Sequence, residues 1–250
     1  MKPFSRLAAA LLLTVLFVGS WGWWAAGIQE LDAQEPLRFH VLSAVVLSLW
    51  MGLGWVGFRR LSSGQTLTVI LLGAAGVRLL LLGVDPLLSD DLWRYLWDGE
   101  VQRQGISPYG FPPADPSLDS LANREPWQQV RERINHAQLP TVYPPVAQVS
   151  FRFFAHHADL WRGVMVLIDL SIGALLGFWL LKKGLDLRRM IFWCWHPLPI
   201  LESAIGGHVH LLALLFMATA LIFIELKRVR WSATLLSLAT ATLLVPAGLF

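Results

Sequence analysis

Apolar residues are grouped along this chain in long runs separated by polar segments, a pattern typical of membrane-crossing helices. The hydrocarbon core of a bilayer requires about 20 apolar residues per helix. The fifth run is short and contains Pro197 and Pro199, so it is the least regular. The pattern predicts an all-α, polytopic transmembrane bundle of about seven spans, at residues of about 7–27, 39–58, 66–84, 160–181, 190–206, 209–226 and 231–249.

One polar segment is much longer than the others and divides the chain. It runs over residues 85–145, between the third and fourth apolar runs. The predicted organisation is therefore three N-terminal membrane helices in 1–84, a structured loop in 85–145 and four further membrane helices in 146–250. Because connections of this length usually carry function, we expect the functional site in the loop.

The composition supports a membrane protein. Hydrophobic residues make up 55% of the chain and charged residues 15%, with a mean hydropathy of +0.54, whereas soluble domains contain about 25% charged residues. No basic stripe interleaved with aromatic residues is present, so a nucleic-acid partner is not expected. The first apolar run is longer than a typical signal-peptide core, which favours an uncleaved anchor.

Charge near the ends of the runs predicts the orientation. Basic residues cluster at every second boundary, where short cytoplasmic loops usually carry them. The alternate segments are acidic: Glu30, Asp32 and Glu35 lie in the first, and the long loop has nine Asp or Glu against five Arg. We expect a cytoplasmic N-terminus and a plasma (inner) membrane location with the loop periplasmic or extracellular. The basic residues are Lys2, Arg6, Arg59, Arg60, Lys182, Lys183, Arg188, Arg189, Lys227, Arg228 and Arg230.

The start of the loop predicts a helix over residues 90–104. Ser89 is a suitable N-cap, and Gly105 is a suitable terminator. Three- and four-residue spacing places polar groups on one side and apolar groups on the other. We expect an interfacial helix with its apolar side towards lipid and its carboxylate-rich side exposed, although spacing alone is equally compatible with a structural cap. The polar side comprises Asp91, Arg94, Tyr95, Asp98 and Gln102, and the apolar side Leu92, Trp93, Leu96 and Trp97.

A compound motif in the loop resembles a known family. Asp-Leu-x-x-Tyr, at Asp91 and Tyr95, is followed by Gly-x-x-Pro-Tyr, ending at Tyr109. This pattern resembles the first large outer loop of the GT-C superfamily, membrane glycosyltransferases that use polyprenyl-phosphate sugars. The bacterial polyprenol-phosphate-mannose-dependent mannosyltransferases are the most similar members. Tyr143-Pro144-Pro145 and the turn from Glu202 to His208 are further matches, so the resemblance covers roughly residues 78–210.

The resemblance implies an inverting transfer of a hexose, with mannose expected, from a polyprenyl phosphate to a lipid-linked or cell-envelope glycan acceptor. In that family a loop aspartate is the general base, and the matching position is Asp91. Arg94, Arg124 and His208 are the candidates for binding the donor phosphate. No cofactor and no metal are expected, although adjacent Asp90 and Asp91 are an alternative divalent-metal site with oxygen ligands.

Further polar residues are expected to support this site. Arg78 and Asp169 lie inside apolar runs, where charge is costly and indicates function by default. Asp169 is near the centre of its run and is expected to be neutral, paired or facing a polar cavity, with a purely structural role as the alternative to a functional one. Arg78 is near the end of its run and could reach the interface. His210 departs from the family, which usually has an acidic residue there. The supporting set is Asp90, Tyr95, Asp98, Tyr109, Tyr143, Arg78, Asp169 and His210.

Two rival functions remain open from the sequence. One is a lipid or glycolipid transporter or flippase component that uses Arg78 and Asp169 as intramembrane polar groups. The other is an inactive scaffold in an envelope-glycan assembly. Members of the resembling family have more spans than this sequence, so additional helices, from a longer chain or a partner subunit, are expected to be necessary for activity. Besides the polyprenyl-phosphate sugar and its acceptor, membrane lipid is the expected partner.

Overall fold

The computed structural model describes residues 3–29, 36–86 and 89–244, and these residues contain helices and no strand. The predicted acidic cluster at Glu30, Asp32 and Glu35 lies outside the described residues, as does the end of the last predicted span. The helices are α1 (Pro3–Gln29), α2 (Pro36–Gly57), α3 (Ser63–Leu81), α4 (Asp91–Arg103), α5 (Asp119–Ala122), α6 (Trp127–Glu132), α7 (Pro145–Phe154), α8 (Ala158–Lys182), α9 (Ile191–Cys194), α10 (Pro197–Ala204), α11 (His210–Glu225) and α12 (Val229–Thr240).

Three of the described helices are long and apolar enough to cross a membrane: Ser5–Ile28 within α1, Ser63–Leu81 and Ala158–Lys182. The all-helical class is therefore confirmed for the described residues, and three candidate spans support a membrane protein, but seven spans are not supported. The described apolar part of α2, Val45–Gly57, is shorter, as is His210–Glu225.

The fifth predicted span is broken into two short helices. α9 ends at Cys194 and α10 begins at Pro197, with Trp195 and His196 between them. Proline lacks an amide hydrogen and disfavours helical geometry in the residue before it, so a continuous helix through His196 is opposed. Proline is well tolerated at the first position of a helix, which explains why α10 starts there.

The described residues form two compact units, and the chain passes between them after Asp85, inside α8 after Ile168 and after Ala204. The first unit comprises Met1–Asp85 and Asp169–Ala204. Its core is organised around Trp195, whose ring stacks on Phe17 at 4.1 Å and whose Nε1 donates to the carbonyl of Ile70 at 3.1 Å. A Cβ at Gly73 would lie 2.9 Å from the Trp195 ring, so this close approach of α3 depends on glycine.

The second unit comprises Pro86–Ile168 and Ile205–Phe250, and α4 contributes Leu92, Tyr95 and Trp97 to its buried core. Both sides of α4 are buried, including Arg94, Tyr95 and Asp98 on the side predicted to be exposed. The prediction that this carboxylate-rich side is exposed is therefore wrong for Arg94, Tyr95 and Asp98. The cause is α7, which packs so closely on α4 that a Cβ at Gly99 would lie 2.6 Å from the carbonyl oxygen of Phe151.

The C-terminal end of α4 agrees with the sequence signal, whereas the N-cap is Asp90 instead of the predicted Ser89 and makes no side-chain capping hydrogen bond. The Ser89 hydroxyl accepts a hydrogen bond from the Asp91 amide at 3.2 Å. At the other end Gly105 has a φ of +79°, a left-handed conformation that glycine adopts without strain. This allows the amide of Ile106 to donate to the carbonyl of Val101 at 3.0 Å and closes the helix.

Candidate functional site

The candidate site of the second unit is formed around the N-terminus of α4. Asp91 lies in the first turn, where the helix dipole favours a negative charge. Its side chain is 40% exposed, and Oδ2 lies 3.9 Å from Nε2 of His208, which is 16% exposed. This distance is too long for a direct hydrogen bond, but it leaves both groups able to contact one bound substrate.

Two tyrosines form the wall beside Asp91. The rings of Tyr95 and Tyr143 meet edge to face with centroids 5.1 Å apart. Their hydroxyls share a hydrogen bond, and the amide of Val209 also interacts with the Tyr95 hydroxyl. Burial, aided by the charge of Asp91, raises the pKa of Tyr143 to about 12. Burial, followed by interactions with Tyr143 and Asp91, also raises the pKa of Tyr95 well above its ordinary value. Both side chains are therefore neutral at physiological pH.

The turn that presents His208 depends on two consecutive glycines. Gly207 has a φ of +60°, and its carbonyl accepts a hydrogen bond from Nε1 of Trp161 at 2.6 Å. A Cβ at Gly206 would lie 2.5 Å from the ring of His208, so only glycine allows the ring to fold over the turn. His210 stacks on His208 with ring centroids 5.2 Å apart. The predicted pair of histidines is thus placed together beside Asp91.

A buried polar network lies behind this site, one to two turns along α4. Asp98 accepts a hydrogen bond from Nε of Arg94 at 2.9 Å and another from Nε2 of Gln148 at 2.8 Å. Gln148 Nε2 also contacts the Thr141 hydroxyl at 2.8 Å, while its Oε1 accepts from Nε2 of Gln102 at 2.7 Å. The network joins α4 to α7 and to the segment that precedes α7.

Burial changes the chemistry of this network. Desolvation raises the pKa of the Asp98 carboxyl above its ordinary value, and Arg94, Thr141 and Gln148 oppose this effect without cancelling it. Arg94 also donates from Nη2 to the carbonyl of Leu139 at 3.0 Å. Because its guanidinium is buried and used in these contacts, the arrangement argues against the predicted role of Arg94 in binding phosphate.

Two further loop residues of the predicted set, Tyr109 and Asp90, have different environments. Tyr109 donates from its hydroxyl to the carbonyl of Tyr143 at 2.8 Å and so braces the tyrosine wall. Burial and then the charge of Asp98 raise the pKa of Tyr109 above its ordinary value. Asp90 is exposed. Among the described residues, Asp90 and Asp91 do not belong to a group of three potential metal ligands.

Arg124 lies at the opposite end of α4 from Asp91. It lines a recess of about 160 Å³ together with Gln104, which follows the last residue of α4. Thirteen residues separate Asp91 from Gln104, and a helix rises about 1.5 Å per residue, so about 20 Å separates the two ends. The structure therefore does not bring Arg124 to the candidate site, contrary to its predicted role in binding the donor phosphate.

Arg78 and Asp169 lie in the first unit and pair with each other. Arg78 Nε is 2.6 Å from Asp169 Oδ2, and both side chains are almost fully buried. Asp169 also accepts hydrogen bonds from Nε1 of Trp193 at 2.9 Å and from the hydroxyl of Ser203 at 2.8 Å. Arg78 thus does not extend to an interface. Of the alternatives predicted for Asp169, the structure has the paired one.

Two features of the site were missed from the sequence. Gln148 lies outside the loop of residues 85–145 and between two predicted elements, and Trp161 lies inside the predicted span at 160–181. The signal for Gln148 was the amphipathic pattern that follows Pro144-Pro145, where proline at the first helical position marks the start of α7. For Trp161, no signal pointed to Gly207, because the two residues are distant along the chain.

In chemical terms the site combines a half-exposed carboxylate, an adjacent pair of imidazoles and a rigid wall of neutral tyrosines. A carboxylate in this position can accept a proton from a hydroxyl group, and imidazoles can donate hydrogen bonds to a phosphate. Compared with models of protein families, with curated proteins and with solved structures, the chain has no significant match.

Proposed function

We propose that the second unit catalyses glycosyl transfer, moving a hexose, with mannose as the favoured sugar, from a polyprenyl phosphate to a cell-envelope glycan or lipid-linked acceptor with inversion. The observation that carries the proposal is the half-exposed Asp91 carboxylate 3.9 Å from His208, beside the tyrosine wall. This arrangement combines a proton acceptor with phosphate-binding donors, which are the two groups that such a transfer requires. The resemblance of the loop motif to polyprenyl-phosphate-sugar-dependent glycosyltransferases supports the same reaction.

Asp91 accepts the proton of an acceptor hydroxyl as the hydroxyl oxygen forms a bond to the anomeric carbon of the sugar. The bond between the anomeric carbon and the phosphate oxygen breaks, and its electron pair leaves with the polyprenyl phosphate. Attack opposite the leaving group inverts the anomeric centre. No metal and no cofactor enter this step.

His208 is assigned to the leaving phosphate, with His210 stacked behind it. A hydrogen bond from an imidazole nitrogen to a phosphate oxygen stabilises the charge that develops as the bond breaks. Arg94 and Asp98 are assigned instead to holding α4 in position, because their contacts are with each other and with buried partners. Preorganisation of this kind maintains a catalytic geometry during the reaction.

The transporter rival receives no support from the polar residues it relied on. Arg78 and Asp169 are buried against each other, and Asp169 has two further hydrogen-bond donors. A buried ion pair with satisfied hydrogen bonds is stabilised within the protein, so replacing either partner by a substrate group is costly. We assign this pair to the structure of the first unit.

The proposed membrane placement has a cytoplasmic N-terminus and the Asp91 site on the outer side. The multi-pass arrangement in the plasma membrane is completed by α2, by the broken pair α9 and α10, and by α11 and α12, because Lys182 and His208 are assigned to opposite sides. Ser117 and Lys182, both exposed, are predicted to lie on opposite sides. Ser117→Cys should react with an impermeant thiol reagent in intact cells, and Lys182→Cys should react only after the membrane is opened. The reverse pattern would refute the orientation.

The transfer is tested by comparing Asp91→Asn with the matched control Asp90→Asn. General-base catalysis contributes about 10²–10⁴-fold, so Asp91→Asn should lose at least about 10²-fold in turnover. Asp90→Asn should retain most of the activity. Turnover is measured as transfer of labelled hexose from a polyprenyl phosphate in cell membranes that contain either wild type or one variant in its place. Expression and thermal stability are checked for both variants. Equal loss in both variants with rescue by divalent metal would instead indicate a metal site. If Asp91→Asn transfers hexose at the normal rate, the proposal is refuted.

A further inference from the structure

Two segments of the second unit differ in charge from the rest of the loop. Residues 104–114 and 137–151 contain no Asp, Glu, Lys or Arg, although residues 85–145 have nine acidic residues and five arginines in total. The two segments are held together by backbone, because the amide of Thr141 donates to the carbonyl of Pro108 at 3.3 Å. The Tyr109 hydroxyl, bonded to the Tyr143 carbonyl, makes a second connection.

Large apolar side chains project from these paired segments. Val142 is 80% exposed, Leu139 52%, Tyr109 48% and Phe111 41%. Val142 lies between Thr141 and Tyr143, whose contacts fix the backbone on each side, so the exposure belongs to an ordered surface. We call Tyr109, Phe111, Leu139 and Val142 the apolar lip.

α7 also has exposed apolar side chains, on the side that faces away from α4. Its inner side packs on α4 through buried residues such as Gln148 and Phe151. Val149 and Phe153, four residues apart and therefore on one side of the helix, are 52% and 63% exposed. A helix of ten residues is too short to cross a bilayer. A short helix with an exposed apolar side is typical of a helix that lies in the membrane interface.

From these observations we infer that the apolar lip and the outer side of α7 are inserted into the lipid headgroup and acyl boundary of the membrane. Chain connectivity identifies the bilayer as the occupant. α7 ends at Phe154 and α8, which is long and apolar enough to cross a membrane, begins at Ala158. Four residues span at most about 14 Å, so α7 cannot lie far from the start of a bilayer-crossing helix.

The lip lies directly beside the candidate site. Val142 precedes Tyr143, which belongs to the wall next to Asp91. Lipid contact at the lip therefore places the Asp91 carboxylate close to the level of the headgroups, where the phosphate of a lipid-linked substrate is located. The inference concerns the surface alone and rests on the proposed membrane placement, and not on the transfer of a sugar.

Lipid contact is tested with single environment-sensitive fluorophores in the full chain. Cysteines are introduced at Val142 and Phe153, with Gln129, which is exposed on α6, as the matched control. Cys194 is buried, and mock-labelled wild type measures its background. The labelled proteins are reconstituted in vesicles of phosphatidylcholine and phosphatidylglycerol that contain lipids with a shallow or a deep nitroxide. Interfacial insertion reaches about 5–10 Å, so quenching at Val142 and Phe153 should be at least about two-fold greater than at Gln129 and stronger with the shallow nitroxide.

Two outcomes would overturn the inference. If the probe at Val142 or at Phe153 emits as in water and is quenched no more than the probe at Gln129, the surface is not in lipid. If the probes are shielded from water but the nitroxide lipids do not quench them, another protein segment covers the surface. Adding Asp91→Asn to each labelled variant should leave the quenching unchanged, which separates this test from the test of transfer.

Discussion

Replacing Asp169 by alanine should strongly destabilise the first unit. The substitution removes a carboxylate that accepts hydrogen bonds from Arg78 at 2.6 Å, Trp193 at 2.9 Å and Ser203 at 2.8 Å. Arg78 keeps only its backbone contacts, to the carbonyls of Ala74 and Cys194. A buried guanidinium is then left without a counter-charge.

The magnitude follows from the burial of the pair. Removal of one partner of a buried ion pair costs about 3–5 kcal/mol. The Ser203 hydroxyl keeps its hydrogen bond to the Pro199 carbonyl, so the loss of its bond to Asp169 adds little to this cost. Because each 1.4 kcal/mol is about a tenfold change in an equilibrium constant, the opened state should become about 10²–10⁴-fold more populated.

The assay uses Cys194, the single cysteine of the chain. Its side chain is buried in the first unit, and its carbonyl accepts a hydrogen bond from Arg78 at 3.0 Å. Labelling of Cys194 by a thiol reagent under native conditions should therefore require local opening, and its rate should follow the population of the open state when closing is fast. Asp169→Ala should be labelled about 10²–10⁴-fold faster than wild type, up to the rate at which the reagent labels a fully exposed thiol.

Two controls separate charge burial from other effects. Asp119→Ala breaks an ion pair with Arg131 that is substantially exposed, and it should change stability by less than about 1 kcal/mol. The double variant Arg78→Met with Asp169→Leu removes both charges and should be much less destabilised than Asp169→Ala. If Asp169→Ala is labelled at the wild-type rate, or if the double variant is as unstable as the single one, the reasoning about the buried pair is refuted.

Three further predictions concern the second unit, each measured by the change in its thermal unfolding. Gly207→Ala should destabilise it by about 1–3 kcal/mol, because of the positive φ and the 3.2 Å approach of the new Cβ to Trp161; no change would contradict this. Gln148→Leu should cost about 1–3 kcal/mol, because Asp98 and Gln102 lose a buried partner; a stable variant would contradict it. Because the folded-state pKa of Asp98 is raised, its contribution is fully present below the ordinary aspartate value of about 3.9 and is lost as pH rises through the raised value. The stability of wild type relative to Asp98→Asn should therefore fall across that window, and a constant difference would refute the sign.

The sequence was informative where local physical rules decide the structure. Gly105 marked the C-terminal end of α4, and Ser89 placed its start one residue early, because helix ends depend on residues that are adjacent along the chain. Apolar length identified three helices that can cross a membrane. The same rule missed the break in residues 190–206, because the apolar content of that run concealed the end of the helix before Pro197.

The exposure of α4 could not be predicted, because it depends on a partner distant along the chain. Spacing correctly placed Asp91, Tyr95 and Asp98 along one side of the helix. That side is buried because Gln148 and Thr141 pack and bond there, and these residues are 50 and 43 positions after Asp98 in the sequence. A contact between residues so far apart along the chain leaves no local sequence pattern. A polar helix side that becomes buried therefore has the same sequence pattern as one that faces water.

The opposite environments of Asp91 and Asp98 explain how one helix can serve both structure and chemistry. Both are aspartates on α4, seven residues apart and therefore on nearly the same side. Asp98 is desolvated and surrounded by Arg94 and Gln148, so a substrate cannot approach it. Asp91 is 40% exposed at the helix end, where a hydroxyl group can reach it. The network that immobilises Asp98 also fixes the position of Asp91 two turns away. In the proposed transfer, the Asp91 carboxylate at the open surface thus obtains its orientation from the buried Asp98 carboxylate, which takes no part in the proposed step.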